Sequence, residues 1–122
     1  MNFEQLTPDQ MLNAAEEATG TLFTGFTAQL PSYINRVYEF RTRDGTRLIA
    51  KFYRPGRWSK DAIIDEHTFL QELYEAELPV ITPLRLSNGE TLGVHEGIHF
   101  AIFPKKAGRQ LELNSFEDWL RL

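Results

Sequence analysis

Arg47-Leu48-Ile49-Ala50-Lys51-Phe52-Tyr53 is the stretch on which the fold turns. Successive side chains of an extended strand project to opposite faces, so Leu48, Ala50 and Phe52 share one face and Ile49, Lys51 and Tyr53 the other. Lys51 therefore stands between two apolar neighbours. Just upstream, Asp44-Gly45 reads as a two-residue hairpin turn, in which both positions take positive φ, and Val37 to about Arg43 is the partner strand. An earlier strand from Phe26 alternates Phe26, Ala28 and Leu30 with Thr27 and Gln29, before Pro31-Ser32-Tyr33-Ile34-Asn35-Arg36 interrupts it. Three successive antiparallel strands are predicted.

Downstream, Arg54-Pro55-Gly56-Arg57 breaks the strand and Ser59 is placed to cap a helix over about Lys60 to Glu77, stopped by Pro79. Ala62, Ile63, Phe69, Leu70, Leu73 and Tyr74 make its apolar face, with Glu66 near the middle, whereas Asp65, Glu72 and Glu75 fall outside that face. Leu84 to Leu86 reads as a strand, Asn88-Gly89 as a hairpin turn, Thr91 to Val94 as its partner, and Ile98 to Phe103 as a further strand.

At the amino end, Thr7 as N-cap, Pro8 at the first helical position and Gln10 three residues after the cap announce a helix that Gly20 ends. Met11, Leu12, Ala15 and Ala18 form a narrow stripe, as in a helix lying on the outside of a core. At the other end, Pro104-Lys105-Lys106-Ala107-Gly108 has the composition of a linker, and Ser115 with Asp118 caps a last helix through Trp119 and Leu120. A well-capped helix that reaches Leu122 in less than two turns carries the expectation that the natural chain continues.

Composition bounds the function classes. The 122 residues are 42% apolar and 25% charged, too apolar for intrinsic disorder, and of a length suited to one core. With no cysteine, a disulfide framework, a thiolate zinc site and a catalytic thiol are excluded, and a cytoplasmic setting is expected. No apolar run approaches the roughly 18 residues of a membrane span, so no membrane partner is expected. Thirteen basic against seventeen acidic side chains give a net charge of −4, against a general nucleic-acid binder. His67, His95 and His99 lack metal-ligand spacing, so no metal site is expected in this chain. Arg54, Arg57 and Lys60 read as a solvated basic loop or as a patch for an anionic partner, and Trp58 as a staple at the helix entry.

Chemistry centres on Lys51 and Glu66, two ionisable side chains placed on apolar faces. Burial of either alone is expensive, so a strand lysine and a helix glutamate that both face the core should meet. The pattern also admits a snorkelling Lys51 and a Glu66 at the helix edge.

The quoted segments carry a resemblance as well. Ser32-Tyr33-Ile34-Asn35-Arg36-Val37-Tyr38-Glu39-Phe40, Ala50-Lys51-Phe52-Tyr53-Arg54-Pro55-Gly56-Arg57-Trp58-Ser59, Glu66-His67-Thr68-Phe69 and Phe100-Ala101-Ile102-Phe103-Pro104 with Gly108-Arg109-Gln110 resemble the bacterial stress response kinases. These are protein serine/threonine kinases with the fold of aminoglycoside phosphotransferases and choline kinases, and the resemblance covers their amino-terminal lobe only, from about Phe26 to Leu122.

It implies an α+β fold: a kinase small lobe with a five-stranded, mostly antiparallel sheet, one major helix and an added N-terminal helix. It divides the chain into an N-terminal helical extension (1–25), an ATP-binding small lobe (26–103), and a hinge with the start of a second lobe (104–122). Lys51 would then grip the α- and β-phosphates of ATP while Glu66 fixes its ammonium. Ser32 would contact the nucleotide from a loop that lacks G-x-G-x-x-G, or be a plain turn residue. Phe103 would back the adenine pocket, with the Pro104 carbonyl and the Lys106 amide pairing with the adenine edge. The implied activity is transfer of the ATP γ-phosphate to protein hydroxyls, with Mg²⁺ ligands expected in a missing second lobe. This chain has no H-x-D or H-R-D catalytic loop, hence no catalytic residue of its own, and is expected to be inactive alone. The competing readings are a small-molecule kinase of the aminoglycoside or choline type and a non-catalytic α+β binding module.

Overall fold

In the computed structural model of the chain, which describes residues 2–32 and 34–105, the first helix starts as its sequence dictates. Helix α1 (Pro8–Thr19) has a closed capping box: the Thr7 hydroxyl accepts from the Gln10 amide and the Gln10 side chain accepts from the Thr7 amide. It ends at Gly20, whose φ of 68° is the left-handed cap that glycine reaches without a Cβ clash. Met11 and Ala15 are fully buried, and Ala14 joins the expected stripe.

Five strands follow: β1 (Phe23–Leu30), β2 (Arg36–Thr42), β3 (Arg47–Phe52), β4 (Gly93–His95) and β5 (Ile98–Pro104). Their order in the sheet is β1-β2-β3-β5-β4 and every pairing is antiparallel. Between β3 and β4 runs helix α2 (Lys60–Glu75), N-capped by Ser59, whose hydroxyl accepts from the Ala62 amide. The architecture is the expected α+β small lobe.

The sheet separates two cores. Leu48, Ala50 and Phe52 of β3 join Tyr38 and Phe40, Phe100 and Ile102, and Met11, Ala14 and Ala15 of α1. On the other face Ile49, with Tyr53 just after β3, packs with Val37, Ala101, Phe103 and the α2 residues Ile63 and Leu70. The alternation read from β3 thus decides which helix each side chain meets. Full burial of a side chain such as Phe40 or Met11 contributes about 1.5–3 kcal/mol.

Several expectations are corrected. Strand β1 begins at Phe23 instead of Phe26, because the register shifts between Phe23 and Thr27 and breaks strict alternation. Phe23 is consequently buried, while Phe26 lies outside under the Arg41 guanidinium, 3.9 Å from its ring centroid. The β2–β3 connection spans residues 43–46, and only Gly45 takes a positive φ, 90°. Asp44 shapes that longer turn by accepting from the Thr46 amide at 3.1 Å and the Thr46 hydroxyl at 2.9 Å.

Leu84 to Leu86 does not form a strand, although the Leu84 amide donates to the Ile102 carbonyl at 2.7 Å. Asn88-Gly89 is a turn, yet the hairpin of this region closes at Glu96-Gly97, with φ values of 51° and 80°, between β4 and β5. Helix α2 stops at Glu75, before the residues 76–77 given to it, and its Ala62 and Tyr74 are exposed while His67 is buried. The expected final helix and the hinge residue Lys106 lie outside the described residues.

Candidate functional site

Cross-strand register sets the surroundings of Lys51. It pairs with Val37 on one side and Ala101 on the other, on the face of the sheet that α2 covers. Lys51 is fully buried. Its Nζ lies 3.7 Å from Glu66 Oε1, an ion pair slightly longer than a hydrogen bond, and 4.8 Å from the centroid of the Tyr53 ring. Of the two arrangements open from sequence, the strand lysine and the helix glutamate meet.

Sequence reasoning missed the polar groups behind this pair. Tyr53 hydroxyl and His67 Nε2 are 3.1 Å apart, and His67 Nδ1 is 2.7 Å from Thr91 Oγ1. His67 is held at about 4, below its ordinary 6.5, by burial and then by the positive charge of Lys51. It is therefore a neutral imidazole at pH 7. Burial above all, and then Glu66, raises the Tyr53 phenol well above its ordinary range. Phe103 packs edge-on against His67, with ring centroids 6.2 Å apart. The available signal was helical spacing: His67 is four residues after Ile63 and three before Leu70, on the buried stripe.

The other expected residues lie towards opposite ends of β3: the 31–35 loop beside Arg36, which pairs with Phe52, and Pro104, which pairs with Leu48. Ser32 is half-buried in the 31–35 connection between β1 and β2. That loop is held at its base, where the Arg54 amide donates to Asn35 Oδ1 at 3.1 Å and Arg54 Nε to the Ile34 carbonyl at 3.0 Å. The Arg54 guanidinium also meets Glu4 at 2.6 Å, so Arg54 serves as a structural tie. Arg57 lies over the Trp58 ring, and Trp58 packs edge-on to Tyr53.

Phe103 pairs with Ile49 and Pro104 with Leu48. The Lys105 amide donates to the Arg47 carbonyl at 3.0 Å and the Ile102 carbonyl accepts from Leu84 on the opposite edge. In an antiparallel ladder this alternation turns the Pro104 carbonyl away from β3.

A second charged cluster surrounds Glu39, almost fully buried on β2. Register places Arg41 opposite Arg47, and Lys105 follows next to Arg47, so three cations share one cross-strand row. Glu39 neutralises them from the adjacent row, at 3.3 Å from Arg41, 2.8 Å from Arg47 and 2.7 Å from Lys105. The Arg47 hydrogen bond, followed by those of Lys105 and Arg41, overcomes burial and holds the Glu39 carboxyl at about 2. Among the described residues no three histidine or acidic side chains come together as metal ligands. No helix of the described residues is long and apolar enough to cross a membrane.

Comparison with known proteins bears on the family and the fold. The profile of the Phosphotransferase enzyme family matches residues 27–120. Stress response kinase A of Salmonella choleraesuis (strain SC-B67) is 45% identical over 116 residues, covering 95% of this chain and 35% of that protein. The serine/threonine protein kinase RdoA of Salmonella typhimurium gives the same figures, and stress response kinase A of Escherichia coli (strain K12) is 43% identical over the same length. The chain spans about a third of the length of these curated relatives. Among solved structures, the amicoumacin kinase hAmiN in complex with AMP-PNP, Ca²⁺ and Ami matches with a TM-score of 0.71 at 20% identity, over 91% of this chain and 34% of that one. At that identity the likeness is one of fold.

Proposed function

Since this chain belongs to the Phosphotransferase enzyme family, we propose that it is the ATP-binding amino-terminal lobe, residues 26–103, of a stress response serine/threonine protein kinase. The helical extension given to residues 1–25 ends ahead of β1, which opens the lobe at Phe23, and 104–122 lead into the remainder of the kinase. The observation that carries the reading is a fully buried Lys51 with Glu66 Oε1 3.7 Å from its ammonium. A flexible lysine positions phosphate poorly, whereas one confined by a carboxylate presents its charge in one place.

Lys51 meets the α- and β-phosphates and Glu66 orients it. Pro104, whose carbonyl faces away from β3, accepts from the adenine edge; Phe103 backs the pocket and the Lys106 amide completes the pairing. Pro104 lies three residues beyond Ala101, the partner of Lys51, which sets the adenine and phosphate contacts about 10 Å apart along the strand. Ser32 covers the phosphates from the 31–35 loop. Mg²⁺ would be held outside the described residues, where it would neutralise phosphate charge.

The acceptor is a protein hydroxyl, a reading supported by the name of the serine/threonine protein kinase at 45% identity, and the setting is the cytoplasm. A small-molecule acceptor is the second reading, favoured by the fold shared with the amicoumacin kinase. The nucleotide site is tested by titrating ATP into isotope-labelled chain. Resonances of Lys51, Ile49, Phe103 and Pro104 should shift together; shifts confined to other faces would overturn the assignment.

A further inference from the structure

Behind the Lys51–Glu66 pair, three side chains from three separate segments lie in hydrogen-bonding sequence: Thr91 before β4, His67 on α2, and Tyr53 after β3. We propose that Tyr53, His67 and Thr91 are positioning residues for the Lys51–Glu66 pair, forming a buried polar chain that fixes where Lys51 presents its ammonium. The inference rests on the nucleotide reading above and deepens it.

At 3.7 Å the contact between Lys51 and Glu66 is too long for a hydrogen bond and does not by itself set a direction. The Tyr53 ring, 4.8 Å from the same ammonium, supplies a second boundary. A ring can serve as a wall only if it is held. Its hydroxyl is held by His67, and His67 by Thr91, so a displacement of α2 must break the buried Tyr53–His67 contact or the part-buried His67–Thr91 contact.

A neutral imidazole carries one N–H and one bare nitrogen, so His67 donates to one neighbour and accepts from the other, and the chain runs in a single direction between Thr91 and Tyr53. Phe103, edge-on to the imidazole, offers no competing acceptor.

Two measurements on the chain test this. Nitrogen NMR of His67 at pH 7 should show a single neutral tautomer, held by Tyr53 and Thr91; a mixture of the two tautomers would overturn the proposal. Titrations with ATP and with adenosine separate positioning from stability, because adenosine has no phosphate for Lys51. Tyr53→Phe and Thr91→Val should each lower ATP affinity by about tenfold, the size of one buried hydrogen bond, and leave adenosine affinity unchanged. An unchanged ATP preference in both variants, with Lys51→Met abolishing it, would overturn the relay alone. An ATP preference that survives Lys51→Met would overturn the nucleotide reading and the relay with it.

Discussion

Lys105 Nζ lies 2.7 Å from Glu39 Oε1, so the residue that follows β5 is bound to the middle of β2 across the intervening strand β3. The contact joins the segment assigned to the adenine edge to the strand beside Lys51, and it makes Glu39 a determinant of stability.

Glu39→Gln should destabilise the chain by about 2 kcal/mol at pH 7, the range of hydrogen bonds to charged groups, because Arg41, Arg47 and Lys105 then repel one another. The carboxyl titrates at about 2 in the folded chain and at an ordinary 4.5 when unfolded, so its contribution is complete above pH 4.5 and is lost as pH falls towards 2. Denaturant midpoints at pH 7 and pH 3 check both statements. A variant as stable as the parent at pH 7 refutes them.

His67 acts with the opposite sign of charge and in a different window. Its folded value of about 4 lies below the unfolded 6.5, so between these values the unfolded chain binds more protons and stability falls as the pH is lowered. The effect is absent above pH 6.5 and saturates below pH 4, at about 3 kcal/mol in all. His67→Gln should flatten this limb. An unchanged slope between pH 6.5 and 4 would show that His67 does not remain neutral when folded.

Lys51→Met and Glu66→Gln should be non-additive. Each single change disturbs a buried charge pair, and the double variant should recover about 1–3 kcal/mol relative to the sum of the two. ATP affinity should follow the same pattern, with the double variant no worse than Lys51→Met. Strict additivity in both denaturant midpoint and ATP affinity would separate the two residues.

Gly93→Ala should be more damaging than its single added methyl suggests. A Cβ at Gly93 would lie 2.5 Å from the Phe100 ring, which is itself stacked on Phe52 with centroids 4.9 Å apart. The stacked ring must shift to admit the methyl, so the clash should destabilise by about 1–3 kcal/mol. A thermal midpoint equal to that of the parent would show that the ring can move.

Hydrolysis of ATP by this chain should be undetectable, since no H-x-D or H-R-D segment supplies a base. Phosphate release that persists in Lys51→Met would place activity elsewhere in the chain.

What the sequence disclosed depended on whether the physics was local. Alternation through β3 put Lys51 and Tyr53 on one face, and the Ser59 cap with the wheel of α2 turned Glu66 inward. Capping chemistry at Thr7 and Gln10 was equally local and equally legible. The reading weakened where a partner came from far along the chain. Thr91 has no local pattern that announces His67, and Glu39 is explicable only once register sets Arg47 and Lys105 beside it. The β1 start and the β4–β5 turn were misplaced for a related reason. A register shift cancels the period of two, and Glu96-Gly97 is a less conspicuous turn than Asn88-Gly89.

The same register shift has a consequence for how copies of the chain meet one another. Strands β1 and β4 are the outer strands of the sheet, and an outer strand offers unpaired amides and carbonyls to any passing extended segment. On one side the offer is interrupted, because the ladder between Phe23 and Thr27 is irregular and presents no continuous template. On the other side β4 has only three residues, too few to seat a recruited strand. Among the described residues an irregular β1 and a three-residue β4 thus keep the sheet from growing by addition of further chains.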